Sequence, residues 1–274
     1  MQSEWQTRPP ASRLPTIFIP HGGGPCFFMN SPPARAWDPL AAFLRALPST
    51  LPERPSAIVV VSAHWEAARA TVISRIDPPL IFDYHGFPPE TYALRYDAPG
   101  SPQIAQRVIA LLGAADIAAG ADVRRGFDHG VFVPFMLIEP AGAIPIVELS
   151  LVASLDAAQH LAIGEALAPL RDEGVLIVGS GMSYHNVLAF FSSAKAAGSE
   201  TFDAWLSQTA TAQPQTRRAH LRDWQHAPDA RRAHPREEHL LPLMVAAGAA
   251  GNDRGTRIFH ERIIGAMISA YRFG

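Results

Sequence analysis

The 274-residue chain holds a single cysteine, Cys26, so no intrachain disulfide can form. That scarcity fits a reducing compartment. It also lacks any uninterrupted apolar run of about 18 residues, and no transmembrane helix is expected. Neither sign of charge dominates: 23 Lys and Arg stand against 25 Asp and Glu, for a net charge of −2. A nucleic-acid or anionic-membrane partner is therefore not expected. The opening residues "MQSEWQTRPPASRLP" contain no apolar h-region, so no secretory leader is expected and a cytoplasmic location is. No internal repeat, no low-complexity block, no G-x-G-x-x-G opening a helix and no P-loop is found.

What is present is an ordinary apolar core, 48% hydrophobic by residue, cut by 25 prolines and 20 glycines into short elements. Residues 1–14 read as a polar, proline-containing tail and residues 15–274 as one domain. Four β-branched apolar runs bounded by Gly, Pro or Ser predict strands at Pro15–Pro20, Ala57–Ser62, Pro145–Leu149 and Val175–Val178, with "ATVIS" at Ala70–Ser74 a weaker fifth. Their unbroken apolarity suits strands covered on both faces. Apolar residues at three-to-four spacing predict helices at Pro39–Pro48, Ser101–Ala115, Ser154–Gly174 and Ile258–Phe273. Ser101 before Pro102 reads as an N-cap with a first-turn proline, and Gly174 as a C-terminal left-handed residue. The alternation predicts an α/β fold, a three-layer α/β/α sandwich around a central mixed, largely parallel sheet.

Histidines punctuate the strand ends. His21 follows "PTIFIP", His64 follows "AIVVVSA", and His185 follows "VLIVGSGMSY" after one short turn. If those strands are parallel neighbours, three imidazoles converge in the crevice beyond their carboxyl ends, where open α/β sheets bind ligands. His239 precedes "LLPLMVAAGAA", and Pro242 suits a first helical turn, which places His239 near a helix start. A helix beginning at Pro235 and kinked at Pro242 is the alternative. Neutral imidazole is the commonest metal ligand, so this clustering predicts a metal site. His129, in "GFDHGVFVPF", is a further candidate, with Asp128 beside it able to orient a neighbour. His160, His220, His226 and His260 sit in helical or polar contexts and read as ordinary side chains. The segment Arg217–His239, with six arginines and four histidines, reads as solvated helix faces or as a cap that welcomes an anion.

Gly22, Gly23 and Gly24 follow His21 directly. "HGGG" is similar to the oxyanion motif of some lipases, but the matching elbow needs G-x-S-x-G, and Val178-Gly179-Ser180-Gly181-Met182 lacks both outer glycines. Three residues without side chains beside an imidazole instead leave room for a flat ligand.

Six stretches in order, "IFIPHGGGP", "VVVSAHWE", "FDYHGFPPETYALRYDAPG", "DHGVFVPF", "GSGMSYHN" and "REEHLLPLMVAAGAA", resemble the class III extradiol ring-cleavage dioxygenases, in the DOPA 4,5-dioxygenase-like branch of the LigB-type superfamily. The resemblance covers about Pro15 to Ala250. It implies a catalytic domain that opens a catechol-type ring beside the diol, with O2, at a mononuclear non-haem Fe(II). It implies His21, His64 and His239 as metal ligands, His185 as catalytic acid/base and His129 as a second active-site histidine near substrate and oxygen. The broader superfamily has a glutamate in the third ligand place, which keeps Glu238 as the alternative to His239. His85 is assigned no role.

Fe(II) is the working metal this chemistry needs, because O2 and a catechol react slowly without a redox-active centre. Three-histidine ligation also suits zinc, so purified protein can carry zinc. A zinc hydrolase built on the same histidines and a non-enzymatic binding module of the same fold are the competing readings. Oxygen consumption separates them from a dioxygenase. The arginine-rich segment and Arg95 are the candidates for gripping a substrate carboxylate. Which aryl diol is opened, and the oligomeric state, stay open at this level.

Overall fold

The computed structural model describes residues 13–29, 35–190 and 196–274. Residues 1–12 of the expected tail lie outside these. Leu14 is fully buried and exchanges backbone and side-chain hydrogen bonds with Arg171.

The strands are β1 (Thr16–Pro20), β2 (Ala57–Ala67), β3 (Ala70–Ile73), β4 (Ala119–Asp122), β5 (Ile146–Val152), β6 (Val175–Gly181), β7 (Gly255–Ile263) and β8 (Ala266–Phe273). They form one sheet in the order β4-β3-β5-β2-β6-β1-β8-β7. β5, β2, β6 and β1 are a parallel block, β4 runs parallel to β3, and β8 joins β1 antiparallel. The sheet is thus mixed and parallel at its centre, as the apolar runs predict. β1, β5 and β6 are buried at every position, which is why their sequences do not alternate.

The helices are α1 (Asp38–Ala46), α2 (Pro102–Ala114), α3 (His129–Ile138), α4 (Ala157–Leu167), α5 (Val187–Phe190), α6 (Ser199–Thr211), α7 (Pro214–Arg222), α8 (Ala230–Ala233) and α9 (Leu241–Ala250). α1 packs on α3, and α3 packs on β2 and β6. α9 packs on β6 and β1 and is covered by α4, which also meets α2 and α7. Helices therefore cover both faces of the sheet. Ser101 caps α2 by accepting a hydrogen bond from Ile104 N–H at 3.2 Å, and Gly174 has φ +75°, as expected of both.

One predicted helix is a hairpin. Ile258–Phe273 falls on β7 and β8, joined by the two-residue turn Ile264-Gly265, with Ile263 opposite Ala266. Its apolar residues match a helical spacing, but it is rich in isoleucine and aromatics, and β8 buries its residues against β1 and α6. Tertiary packing overrides the local pattern there. The converse miss is α3, while α9 is placed by Pro242 and not by any period. Both are apolar all round and almost wholly buried, so neither carries the amphipathic period that marks a surface helix.

Candidate metal centre and cavity

The parallel block delivers the histidines to one place. β1 and β6 pair through Pro20 and Gly181, and His21 N–H then donates to Gly181 C=O at 3.0 Å. His64 lies within β2 rather than after it. Pairing to β6 has ended at Ser62, and the register to β5 shifts between Val61 and Glu66, which frees the segment around His64 from the ladder. His239 lies two residues before α9, close to the expected helix start. Met182 N–H donates to His239 C=O at 2.9 Å, and a Cβ on Gly181 would sit 2.2 Å from that same oxygen, so only glycine admits this approach. His185 stands on the loop after β6, strapped by its own N–H to Ala233 C=O at 2.9 Å and by Asn186 to Arg232 C=O at 2.9 Å. His129 is the first residue of α3, where Asp128 caps by accepting from Gly130 N–H at 3.0 Å.

The rings of His21, His64 and His239 form a nearly equilateral triangle, with centroids 4.8 Å apart for His21–His64, 5.2 Å for His21–His239 and 4.8 Å for His64–His239. The Nε2 atoms of His239 and His64 face each other at 3.3 Å. His129 lies against His64 at 3.8 Å between centroids, and His185 stacks on His239 at 3.3 Å, 15° from parallel. Donor atoms of His21, His64 and His129 lie within 4.8 Å of one another, as do those of His185, Glu238 and His239.

Both ring nitrogens of His21 are buried without a hydrogen-bond partner. A buried, unpartnered imidazole is costly, and a metal ion is the partner that fits an all-histidine setting. Burial, then the neighbouring imidazoles, holds His21 and His239 well below the usual histidine range and brings His64 down to about 4. These imidazoles are neutral at pH 7, the form that ligates a metal.

Two carboxylates stand behind the rings: Asp83, which the sequence reading did not single out, and Glu238, its alternative third ligand. Asp83 Oδ1 lies 2.8 Å from His129 Nδ1 and accepts from His129 N–H at 3.0 Å, and Oδ2 is 3.7 Å from His64 Nδ1. Glu238 Oε1 lies 3.0 Å from His239 Nδ1 and 3.3 Å from His185 Nδ1. Burial raises both carboxyls, but the histidine contacts outweigh it, and both end below the usual carboxylate range. Asp83 stands in the motif "FDYHGF", where the aspartate two residues before an exposed His85 was the available signal. Asp128 does not orient His129. It caps α3 and binds Ser62 Oγ at 2.7 Å and Arg125 at 3.0 Å.

A cavity of about 500 Å³ opens from the histidines. Gly22, Gly23 and Gly24 line it, with all five histidines. Its walls include Phe27, Trp37, Phe87 and Phe190, and Trp37 stacks on Phe190 at 5.7 Å and 14°. The glycines have different reasons to be glycine. Gly22 and Gly24 have φ +90° and +55°, and a Cβ would meet Cys26 Sγ at 2.4 Å or the Phe87 ring at 2.8 Å. Gly23 needs no unusual backbone, and its Cβ would reach only ordinary contact, 3.4 Å from Trp37.

The arginines of the segment Arg217–His239 do not line this cavity, although His239 at its end does. Arg217 is buried and donates to Gly251 and Asp253 carbonyls, Arg231 pairs with Glu237, and Arg236 pairs with Glu66. Arg95 is exposed elsewhere, and among the described residues the arginines that line the cavity are Arg35 and Arg45. Ser180 is buried inside β6, where its hydroxyl donates to Gly130 C=O, so it is no exposed nucleophile.

Residues 15–274 match the model of a family described as the catalytic LigB subunit of aromatic ring-opening dioxygenase. The chain belongs to this LigB family. As a LigB-family member it is 38% identical to a 4,5-DOPA dioxygenase extradiol of Beta vulgaris, over 94% of this chain and 96% of that one. It is 36% identical to a dioxygenase of Hapsidospora irregularis, over 95% of this chain and 85% of the relative. A crystal structure of an uncharacterized Escherichia coli K12 protein superposes with a TM-score of 0.78 at 31% identity, covering 96% of this LigB chain and all of that one. Membership makes the chain an extradiol-type, metal-dependent dioxygenase acting on a small molecule and O2. Among the described residues, no helix is long and apolar enough to cross a membrane.

Proposed function

We propose that this LigB-family chain opens a catechol-type ring beside its diol, using Fe(II) held by His21, His64 and His239. The observation that carries the reading is the triangle of imidazoles. With a metal–nitrogen bond of about 2.1 Å and about 1.1 Å from nitrogen to ring centre, two imidazoles set about 90–110° apart on one ion have centroids about 4.5–5.2 Å apart. The three sides, 4.8, 5.2 and 4.8 Å, fit that window. His64–His129 at 3.8 Å and His185–His239 at 3.3 Å fall short of it, which favours His239 over His129 as third ligand and leaves His129 and His185 for other work. Glu238, the alternative third ligand, has Oε1 engaged with two Nδ1 atoms and Oε2 3.4 Å from Arg236.

Fe(II) bound there supplies the redox-active centre that brings diol and O2 into reaction, which d¹⁰ zinc does not. The chain's own residues do the rest. The aromatic walls and Gly23 hold a planar ring beside His21 and keep bulk water out. His185, on a strapped loop, takes a proton from a diol oxygen and returns one as the ring opens. His129, held through Nδ1 by Asp83, leaves Nε2 for the cavity, where it can hold a proton against charge developing on the substrate. The product is a muconic semialdehyde-type chain. Cytoplasmic operation is part of the same reading, on the strength of the single buried cysteine.

The test is oxygen uptake by protein reconstituted anaerobically with Fe(II) and offered a panel of catechols, with the zinc form alongside. Stoichiometric uptake with a yellow product, lost in His185→Ala and absent with zinc, is expected. Iron-loaded protein that consumes no oxygen with any diol, while zinc-loaded protein cleaves esters or amides, would replace the reading with a hydrolase.

A further inference from the structure

Each histidine left off the metal triangle shares one carboxylate with a histidine on it. Glu238 Oε1 stands 3.0 Å from Nδ1 of His239 and 3.3 Å from Nδ1 of His185. Asp83 stands 2.8 Å from Nδ1 of His129 and 3.7 Å from Nδ1 of His64. Glu238 is itself held from the far side by Arg236, whose guanidinium grips Glu66 at 2.5 and 2.7 Å and lies 3.4 Å from Glu238 Oε2. Asp83 is fixed by the first backbone N–H of α3 at 3.0 Å. Both carboxylates are therefore placed by the fold before any substrate arrives.

We infer that Glu238 is a positioning residue that fixes the tautomer of two imidazoles at once, the metal-facing His239 and the acid/base His185, and that Asp83, which stands beyond hydrogen-bond reach of His64, serves His129 alone in the same way. A carboxylate accepts hydrogen bonds only, so an imidazole facing it through Nδ1 carries its proton there. The lone pair is then on Nε2. For His239 that is the atom facing His64 Nε2 at 3.3 Å, where an ion would be gripped. For His185 it is the atom left to take a proton from substrate. One carboxylate oxygen has lone pairs enough to accept from both rings. The near-parallel stack of His185 on His239 is compatible with both rings presenting Nδ1 to that one oxygen. Removing the carboxylate releases both rings together, so metal affinity weakens and kcat of the iron-loaded protein falls as well, without the complete loss of iron that removing a ligand brings.

The inference rests on the proposed metal and acid/base roles, and the experiment separates the two. Zinc-loaded wild-type protein is diamagnetic, and long-range ¹H–¹⁵N spectra read each histidine's tautomer without any turnover. His185 and His239 are expected with the proton on Nδ1, and a proton on Nε2 of either overturns the inference. In parallel, Glu238→Met and Glu238→Gln are loaded with Fe(II) and titrated against a chelator. Glu238→Met is expected to bind one iron about 10–100-fold more weakly and to lose about 10–100-fold in kcat with KM within about threefold. Glu238→Gln keeps an acceptor oxygen and is expected to recover most of both. Wild-type affinity and kcat in Glu238→Met strike out the positioning role alone. Complete loss of iron in both variants makes Glu238 a ligand. Wild-type protein that takes up neither metal nor oxygen removes the functional reading and this inference with it.

Discussion

Three adjacent glycines offer a graded test of how the cavity floor is built. At Gly22 and Gly24 alanine must adopt φ +90° and +55°. A left-handed backbone costs an L-residue about 1–2 kcal/mol. The added methyl must also displace Cys26 Sγ from 2.4 Å or the Phe87 ring from 2.8 Å, and overpacking of that kind costs about 1–3 kcal/mol. Each substitution is therefore expected to cost about 2–5 kcal/mol, which lowers Tm by roughly 4–20 °C in a chain of this size. Gly23→Ala meets only Trp37 at 3.4 Å with an unstrained backbone and is expected to leave Tm within about 2 °C. Gly23→Leu fills space beside His21 in the cavity of about 500 Å³, so it is expected to keep one metal per chain while raising KM at least about tenfold, or about 1.4 kcal/mol. The assays are thermal melts of all four variants, metal content, and oxygen-uptake kinetics. Equal melting losses at all three positions would refute the separation of turn from space. A wild-type KM in Gly23→Leu would refute the placement of the ring beside His21.

His234 is buried with Nε2 on Ser183 C=O at 3.1 Å, and burial, more than any neighbour, pushes it down to about 3. Its folded pKa lies below the unfolded value of about 6.5, so the unfolded chain binds the extra proton; stability is full above about pH 6.5 and falls as pH drops towards 3. Between pH 7 and 5 this group alone removes about 2 kcal/mol, and in His234→Gln the fall in urea-derived unfolding free energy between those pH values should shrink by that amount; an unchanged fall counts against it. Arg171, buried, donates to the carbonyls of Leu14, Ala249 and Ala250 and pairs with Asp253 at 2.5 Å. Arg171→Met strands those carbonyls and is expected to cost about 3–5 kcal/mol in denaturant melts, and a loss under about 1 kcal/mol would show the network to be dispensable. His239→Ala is expected to drop iron content well below one per chain, whereas His129→Ala retains it; the reverse pattern would reassign the third ligand.

The sequence by itself determined the strands of the parallel block, because β1, β5 and β6 are buried on both faces and must be continuously apolar. It also brought forward His21, His64 and His185 from strand ends and His239 from a helix start, while His129 gained its place through the family resemblance. What it could not decide depends on distance across the chain. Ile258–Phe273 carries a helical spacing, and only the free edge of β1 and the packing of α6 make it a hairpin. α3 buries nearly every side and leaves no period to read, whereas α9, buried all round too, is legible only through Pro242 in its first turn. Asp83 lies 46 residues before His129, and only the fold brings its carboxylate against that ring. The arginines of residues 217–236 look like an anion site in one dimension, yet the fold pairs Arg217, Arg231 and Arg236 with carbonyls and carboxylates away from the cavity. Residue type and burial are written locally, whereas a second-layer partner, a free sheet edge and the choice among five histidines are fixed only when distant segments meet.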